Sequence, residues 1–260
     1  MNMEHNGIAL LIDADNSPAV KINDILDELS KYGVINIRRA YGDWKNPALI
    51  GWVEILHDYA IQPVQQFAYT KRKNATDSAI IIDAMDLLYT QKLSAFGIAS
   101  SDSDFTPLAM RLRANGLKVF GFGEEKTPPP FVNACTKFLF LEHLRTPLPT
   151  PSNTAQPPAI PTTRQGTNEL RSDTRLVTHL RNAVVAVSDE EGWASLGAVG
   201  SHINKNWPAF DQRNYGYAKL GDLVSVSELF ELRRDHHNHL QLRSTRKNGK
   251  KANPQESSLS

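Results

Sequence analysis

The sequence predicts an α/β fold: a three-layer α/β/α domain with a mainly parallel sheet, followed by a small C-terminal winged-helix module. In the first part of the chain, short apolar runs alternate with segments of helical periodicity, which is the pattern of βα units. A proline-rich segment then precedes a second part in which helices lead to a terminal pair of strands. With 260 residues and 40% hydrophobic residues, the chain is long enough for two globular domains.

The first part contains six expected strands and four expected helices. Apolar runs predict strands at 8–12, 34–41, 61–68, 95–100, 118–122 and 137–141. Ser17-Pro18 is a typical helix start, and Asn115-Gly116 is a typical helix end. Apolar residues at helical spacing predict helices at 22–29, 48–59, 77–89 and 105–114.

The proline-rich segment sets the expected domain boundaries. Residues 146–167 contain six prolines among Ser, Thr, Gln and Asn, a composition typical of an extended spacer. We therefore expect residues 1–145 to fold independently and residues 168–243 to form the winged-helix module. Within that module, a helix is expected at 173–187, and strands are expected near 229–232 and 239–243. Residues 244–260 are expected to form a disordered basic tail.

Charge and cysteine content exclude several classes of protein. The net charge is +1, so no strong overall field favours a polyanionic partner. The basic residues between positions 233 and 251 form either a solvated tail or an electrostatic anchor for nucleic acid. The single cysteine, Cys135, excludes an internal disulfide and a multi-cysteine zinc site. No segment has the length of a membrane span or of a signal-peptide core, so we expect a cytoplasmic protein without a membrane partner.

Carboxylates follow two of the expected strands and begin one expected helix. Asp13 ends the first strand, Asp102 and Asp104 follow the fourth strand, and Asp77 begins a helix. In open α/β sheets, ligands bind beyond the carboxyl ends of the strands, so these side chains are expected to converge. Clustered negative charges require a cation, and carboxylate oxygens suit Mg²⁺ or Mn²⁺. The pattern therefore predicts a metal site, of the kind used in phosphodiester hydrolysis.

Each of these carboxylates also has a purely structural interpretation. Asp13 can cap the loop that follows its strand. Asp77 is favoured by the positive end of its helix in any case. Helix capping explains one member of the pair Asp102 and Asp104, but hardly both.

Neighbouring polar residues complete the predicted site. Asn16 can position a phosphate or form a turn, and Asp15 and Asp83 are weaker candidates than the four carboxylates. Three basic residues before the acidic helix form either a solvated loop or a binding site for a nucleic-acid backbone. They are Lys71, Arg72 and Lys73.

Three motifs in the first part resemble the NYN domain family, in its LabA-like branch, of PIN-fold ribonucleases. They are Leu11-Ile-Asp13-Ala-Asp15-Asn16, Lys73-Asn-Ala-Thr-Asp77 and Ser100-Ser-Asp102-Ser-Asp104-Phe105-Thr-Pro-Leu108. The resemblance spans residues 8–144. It implies a PIN-like sheet and Mg²⁺- or Mn²⁺-dependent endonucleolytic cleavage of RNA. The family's catalytic and metal-binding positions correspond to Asp13, Asp77, Asp102 and Asp104.

Residues 170–243 resemble an OST-HTH/LOTUS domain. The resemblance rests on Trp207-Pro208-Ala-Phe210-Asp211, Asn214-Tyr215-Gly216-Tyr217-Ala-Lys219-Leu220 and Phe230-Glu231-Leu232. It implies that the module binds RNA, through surface residues that include Lys205, Arg213, Tyr217 and Lys219. A homo-oligomer and a protein partner of the C-terminal module stay open.

Two other functions compete with the ribonuclease. Asp13-Ala-Asp15 mimics the nucleophile motif of haloacid-dehalogenase phosphatases. The usual Thr or Val pattern after Asp15-Asn16 is missing, however, and no clear lysine motif precedes the second acid pair. A non-catalytic RNA-binding or regulatory scaffold with a structural metal is the second alternative.

Overall fold

The computed structural model describes residues 7–67, 75–144, 164–235 and 238–245. Contacts divide these residues into two compact units. The N-terminal unit contains the described residues before the proline-rich segment together with residues 204–214, and the C-terminal unit contains the others. Residues 204–214 were expected to belong to the C-terminal module, whereas their contacts group them with the N-terminal unit.

Six parallel strands form the sheet of the N-terminal unit, which confirms the predicted α/β fold. Their order is β3-β2-β1-β4-β5-β6, and each neighbouring pair is parallel. Each strand overlaps the one predicted from its apolar run. The strands are β1 (Gly7–Asp13), β2 (Val34–Gly42), β3 (Gln62–Gln65), β4 (Ala95–Ala99), β5 (Lys118–Gly123) and β6 (Lys137–Phe140).

Helices cover both faces of this sheet. They are α1 (Ile22–Ser30), α2 (Ile50–Val53), α3 (Ala75–Thr90), α4 (Thr106–Ala114) and α5 (Pro129–Ala134). Alternate residues of a strand point to opposite faces, so Leu10 packs with α1 and α2 while Leu11 packs with α3, α4 and α5. The result is the expected three-layer sandwich.

Two helices differ from the expectation. The helix expected at 48–59 ends at Val53 and continues as turns up to Ala60, whose positive φ of 49° ends the segment. Trp52 and Leu56 are nevertheless buried in the core, as their spacing indicates. Helix α5 was not predicted because its prolines favour a loop. Proline is tolerated in the first helical turn, however, where the missing N–H has no intrahelical acceptor.

Residues 204–214 join the N-terminal unit through ion pairs and one edge-strand hydrogen bond. The Arg213 guanidinium lies 3.0 Å from a Glu28 oxygen, and the Lys137 ammonium lies 3.7 Å from an Asp211 oxygen. Within the segment, Arg213 also pairs with Asp211 at 2.7 Å. Burial opposes ionisation of Glu28, but hydrogen bonds from Lys31 and Arg213 hold its pKa below the ordinary value. On the edge strand β6, the Phe138 N–H donates to the carbonyl of Pro208 at 2.9 Å.

The C-terminal unit is a helical module with a small antiparallel sheet, as the predicted winged-helix architecture requires. The sheet order is β7-β9-β8. Its elements are α6 (Thr167–Ser172), α7 (Thr174–Val187), β7 (Ala194–Ser195), α8 (Leu196–Asn206), α9 (Leu220–Ser227), β8 (Phe230–Arg234) and β9 (Leu240–Ser244). The last residues of α8 belong to the N-terminal unit.

The expected linker and tail lie mostly outside the described residues, which omit 145–163 and 246–260. Among the described residues, no helix combines the length and the apolar character that crossing a membrane requires.

Candidate metal centre

The predicted carboxylates lie at the point where the sheet changes direction. Strands β1 and β4 are neighbours, but the chain continues from β1 to β2 on one side and from β4 to β5 on the other. At such a switch point the two connections diverge and leave a crevice beyond the strand ends, where ligands bind. Asp13 is the last residue of β1, and Asp102 and Asp104 follow β4.

Asp13 is buried with one carboxylate oxygen unpaired. It continues the alternation of Ala9 and Leu11, which places it on the sheet face covered by α3. Its side chain is 1% exposed. Oδ2 accepts hydrogen bonds from Asn16 at 2.8 Å and from the hydroxyl of Ser100 at 2.9 Å. Oδ1 is buried without a hydrogen-bond partner among the described residues. A buried oxygen of this kind needs a partner that the described residues do not supply there, and a cation meets that need.

Three further carboxylates form a compact cluster. Asp77, Asp102 and Asp104 each offer an oxygen, and these oxygens lie within 4.8 Å of one another. Asp77 lies in the first turn of α3 and is 8% exposed. Asp102 caps a short 3₁₀ turn by accepting from the N–H of Asp104 at 2.9 Å. Asp102 therefore caps this turn and also belongs to the carboxylate cluster.

The cluster is electrostatically strained in the absence of a cation. Burial, followed by the negative charges of Asp13, Asp102, Asp104 and Asp15, raises the pKa of Asp77 to about 6. Burial also raises the pKa of Asp13, although hydrogen bonds from Asn16 and Ser100 oppose that change. A divalent cation would neutralise these charges, and an all-oxygen donor set fits hard ions such as Mg²⁺ or Mn²⁺.

Polar neighbours orient the carboxylates. Ser100, fully buried, donates to Asp13 and accepts from the N–H of Asp102 at 3.1 Å, so it connects the ends of β1 and β4. Sequence reasoning did not select Ser100. The sequence signal that could have identified Ser100 is its position two residues after the buried Ile98. Alternation along the strand then places both side chains on the same face of the sheet. Asp15 is exposed and accepts from the hydroxyl of Thr76 at 3.2 Å.

Asp83 lies outside the cluster. Its carboxylate pairs with Arg39 and accepts a hydrogen bond from the hydroxyl of Tyr41. This contact occupies Asp83 within the protein, in agreement with its weaker standing as a site residue.

Two clefts adjoin the carboxylates from opposite layers of the sandwich. One has a volume of about 480 Å³ and lies among α3, α4 and α5, where Asp77, Asp104 and Pro130 contribute to its wall. The other, also about 480 Å³, extends from Asp15 and Asn16 towards the α2 layer.

The predicted basic residues occupy different environments. Lys71, Arg72 and Lys73 lie outside the described residues, so their role stays a prediction. Arg213 is engaged in the ion pairs with Glu28 and Asp211. Lys205, in the N-terminal unit, and Lys219, in the C-terminal unit, are both exposed.

Tyr217 is buried, which corrects the expectation that it lies at the surface. It is 2% exposed, and its hydroxyl donates to the carbonyl of Gln165 at 2.5 Å. The ring packs inside the module, where burial of its large apolar surface is favourable.

The small sheet of the C-terminal unit carries an aromatic and basic cluster that the motifs did not indicate. The guanidinium groups of Arg233 and Arg243 lie 4.0 and 4.5 Å from the ring centroid of Trp193. Arg243 also pairs with Glu231 at 2.7 Å. Guanidinium planes held in this way are surfaces on which unpaired bases can stack.

Comparison with known families agrees with this organisation. Residues 7–142 match the family model of the NYN domain, and residues 172–241 match that of the OST-HTH/LOTUS domain. Both matches confirm the resemblances derived from the motifs. No curated protein matches the chain.

Two solved structures show weak overall similarity. A protein of unknown function from Vibrio parahaemolyticus is 17% identical, with a TM-score of 0.45 over 54% of this chain and 95% of that one. An uncharacterized protein from Nitrosomonas europaea is 32% identical, with a TM-score of 0.28 over 40% of this chain and 98% of that one. At these TM-scores, neither similarity bears on the fold or the function.

Proposed function

Because the chain belongs to the NYN domain family, we propose that it is a Mg²⁺- or Mn²⁺-dependent endoribonuclease that cleaves RNA phosphodiesters. NYN domains have a nuclease-like fold, and OST-HTH domains imply RNA binding. The observation that carries the proposal is the cluster of Asp77, Asp102 and Asp104 at the switch point of the sheet. The buried Oδ1 of Asp13, which has no hydrogen-bond partner among the described residues, adds a fourth potential ligand.

The four aspartates would hold the cation, and the chain's other residues would fix their geometry. Bound there, Mg²⁺ or Mn²⁺ would activate water and stabilise the departing oxygen of a phosphodiester. Asn16 and Ser100 hold one oxygen of Asp13, so that its other oxygen points away from these donors. Ser100 also fixes the backbone at Asp102, which keeps the carboxylates after β4 in register with the end of β1.

The two clefts support a single RNA strand as the substrate. One is lined in part by Asp77 and Asp104 and the other by Asp15 and Asn16, and they are proposed to hold nucleotides on the two sides of the cleaved bond. Asn16 lines the second cleft and is proposed to contact a phosphate. Lys71, Arg72 and Lys73 are proposed to bind the RNA backbone beside Asp77.

The C-terminal module is proposed to hold RNA near the metal centre. A tethered binding module raises the local concentration of RNA at the carboxylates. The exposed Lys219, and the guanidinium groups stacked on Trp193, are the features of this unit best suited to phosphate and base contacts. Lys205 and Arg213 remain proposed RNA contacts in the N-terminal unit.

The test is cleavage of an internally labelled single-stranded RNA in Mn²⁺ or in EDTA. We expect cleavage in Mn²⁺, none in EDTA, and a loss of orders of magnitude in Asp102→Asn, which keeps the shape but removes a ligand charge. Asp86→Asn changes an exposed carboxylate on α3 and is the matched control. Full activity in EDTA or in Asp102→Asn would refute the proposal and indicate a contaminating nuclease.

The same preparation separates the competing functions. A nuclease cuts internal phosphodiesters and leaves small aryl phosphates intact. Turnover of an aryl phosphate that depends on Asp13 would favour the phosphatase. RNA binding without cleavage under any metal condition would favour the regulatory scaffold.

A further inference from the structure

A cavity lined by cationic side chains lies at the amino ends of the strands, whereas the carboxylates lie at the carboxyl ends. Its volume is about 410 Å³, and all of its lining residues belong to the N-terminal unit. Lys118 and Lys137 begin β5 and β6, so the cavity lies at the amino ends of these strands. A strand advances about 3.3 Å per residue, which separates the two ends of the five-residue β4 by about 17 Å. This amino-edge cavity is therefore distinct from the metal centre.

The charged side chains that line the amino-edge cavity, among the residues that the structure describes, are all cationic. They are Arg113, Lys118, Lys137 and Lys205, and no carboxylate belongs to the described lining. Among the described residues, neither Lys118 nor Lys205 has a carboxylate partner. Like charges brought together repel one another, so a cavity of this composition favours an anion.

The other two cations are held in place by neighbouring groups. Arg113 donates to the carbonyl of Ala134 at 3.0 Å, which fixes its guanidinium at the wall. Lys137 donates to the hydroxyl of Tyr32 at 3.1 Å and also lies 3.8 Å from a Glu28 oxygen. Fixed donors lose little conformational freedom when they bind a ligand.

An aromatic pair adjoins these cations. Tyr32 stacks on Phe120 with ring centroids 4.3 Å apart, and Tyr32 is 36% exposed while Phe120 is buried. An exposed aromatic ring beside fixed cations is the combination that binds a base and its phosphate together. A volume of about 410 Å³ also falls within the range of small-ligand sites, about 300–1,000 Å³.

We infer that the amino-edge cavity is a second nucleotide-binding site, which takes a phosphate on Arg113 and Lys118 and a base against Tyr32. The nucleotide is either free or part of an RNA strand, and the chemistry that recognises it is the same. The inference concerns binding and holds whether or not the carboxylate cluster cleaves RNA.

The test is binding of AMP, and separately of a short labelled single-stranded RNA, to the full chain in EDTA. Without a cation, the carboxylate cluster repels phosphate, so binding there is suppressed. We expect Lys118→Glu to weaken binding about tenfold or more, as for a lost charged hydrogen bond, and Lys118→Arg to retain it. Lys92→Glu makes the same charge change at an exposed lysine that does not line the cavity.

The two probes distinguish the source of the nucleotide. If Lys118→Glu loses AMP binding, the natural ligand of the cavity is a free nucleotide. If Lys118→Glu loses only RNA binding, the ligand is a nucleotide within an RNA strand. A Tyr32→Ala variant should weaken both stacking and binding, while Tyr32→Phe should preserve them. The inference is overturned if neither probe binds, or if Lys118→Glu and Lys92→Glu behave alike.

Discussion

Buried charge explains the behaviour of individual residues at the metal centre. Asp13 could be selected from the sequence because it ends an apolar strand, and Asp102 because it follows another. The unpaired Oδ1 of Asp13 could not be foreseen, because it depends on which of its oxygens Asn16 and Ser100 occupy. Ser100 was not predicted as a site residue, because a serine after a strand is usually only a turn residue.

Ser100→Ala tests whether this hydroxyl positions the carboxylates. Loss of its hydrogen bonds to Asp13 and Asp102 should weaken Mn²⁺ binding by about 10–100-fold, as for other supporting residues of metal sites. Calorimetric titration with Mn²⁺ measures the affinity. Ser94→Ala, which removes a hydrogen bond to Gly7 just before the other end of β4, is the control and should bind Mn²⁺ normally. Equal affinities of the two variants would show that Ser100 has only a structural role.

The raised pKa of Asp77 predicts a pH-dependent stability of the metal-free protein. Between the ordinary pKa of 3.8 and the raised pKa of about 6, Asp77 binds more protons in the folded chain than in the unfolded chain. The contribution of Asp77 to the free energy of unfolding therefore falls as pH rises through this window. Asn at this position cannot ionise. Asp77→Asn should thus gain stability relative to the natural protein as pH rises, measured by urea unfolding in EDTA. A difference in the free energy of unfolding between Asp77→Asn and the natural protein that does not change with pH would contradict the raised pKa of Asp77.

Element pairing, more than any single residue, assembles the site. Regular βα alternation in the sequence predicted the strands, and the switch point between β1 and β4 follows from their order. The segment 48–59 was predicted correctly in its burial but not in its helical length, because Trp52 and Leu56 can reach the core from turns as well as from a helix. Apolar spacing reports which side chains are buried and leaves the exact backbone path open.

Gly123 at the end of β5 allows the close approach of β4. A Cβ at this position would lie 2.7 Å from the backbone carbonyl of Ser100, which has little room to move. Gly123→Ala should lower the free energy of unfolding by about 1–3 kcal/mol and reduce RNA cleavage by displacing Ser100. Gly197→Ala, in α8 with open space around it, is the control. Thermal unfolding and cleavage rates measure both effects, and unchanged values for Gly123→Ala would refute the close packing.

The molecule as a whole is organised as two units that the sequence divides only approximately. Composition predicts a boundary in the proline-rich segment, since such a segment cannot form a core. The contacts of residues 204–214 with the N-terminal unit could not be predicted, because they depend on ion pairs between residues far apart in the sequence, such as Glu28 and Arg213. Independent folding of residues 1–145 stays a prediction, and a fragment ending there lacks these ion pairs.

Arg213→Ala should destabilise the N-terminal unit. The substitution removes the shortest charged contact of the buried Asp211 and one of the ion pairs of the buried Glu28, which keeps its contact with Lys31. The expected cost is about 1.5–3 kcal/mol, measured by urea unfolding. Lys126→Ala removes an exposed ion pair with Glu124 and should leave stability unchanged. Equal stability of Arg213→Ala and the natural protein would show that these ion pairs contribute little.

If the proposed function is correct, the clustered aspartates bind the cation that supports RNA cleavage. The most direct measurement is a Mn²⁺ titration in which binding and RNA cleavage are followed in the same samples of the full chain. We predict that both rise over the same range of Mn²⁺ concentration, and that Asp77→Asn shifts both together while Asp86→Asn shifts neither. Cleavage that saturates independently of Mn²⁺ binding, or that survives in Asp77→Asn with its original metal dependence, would contradict the claim.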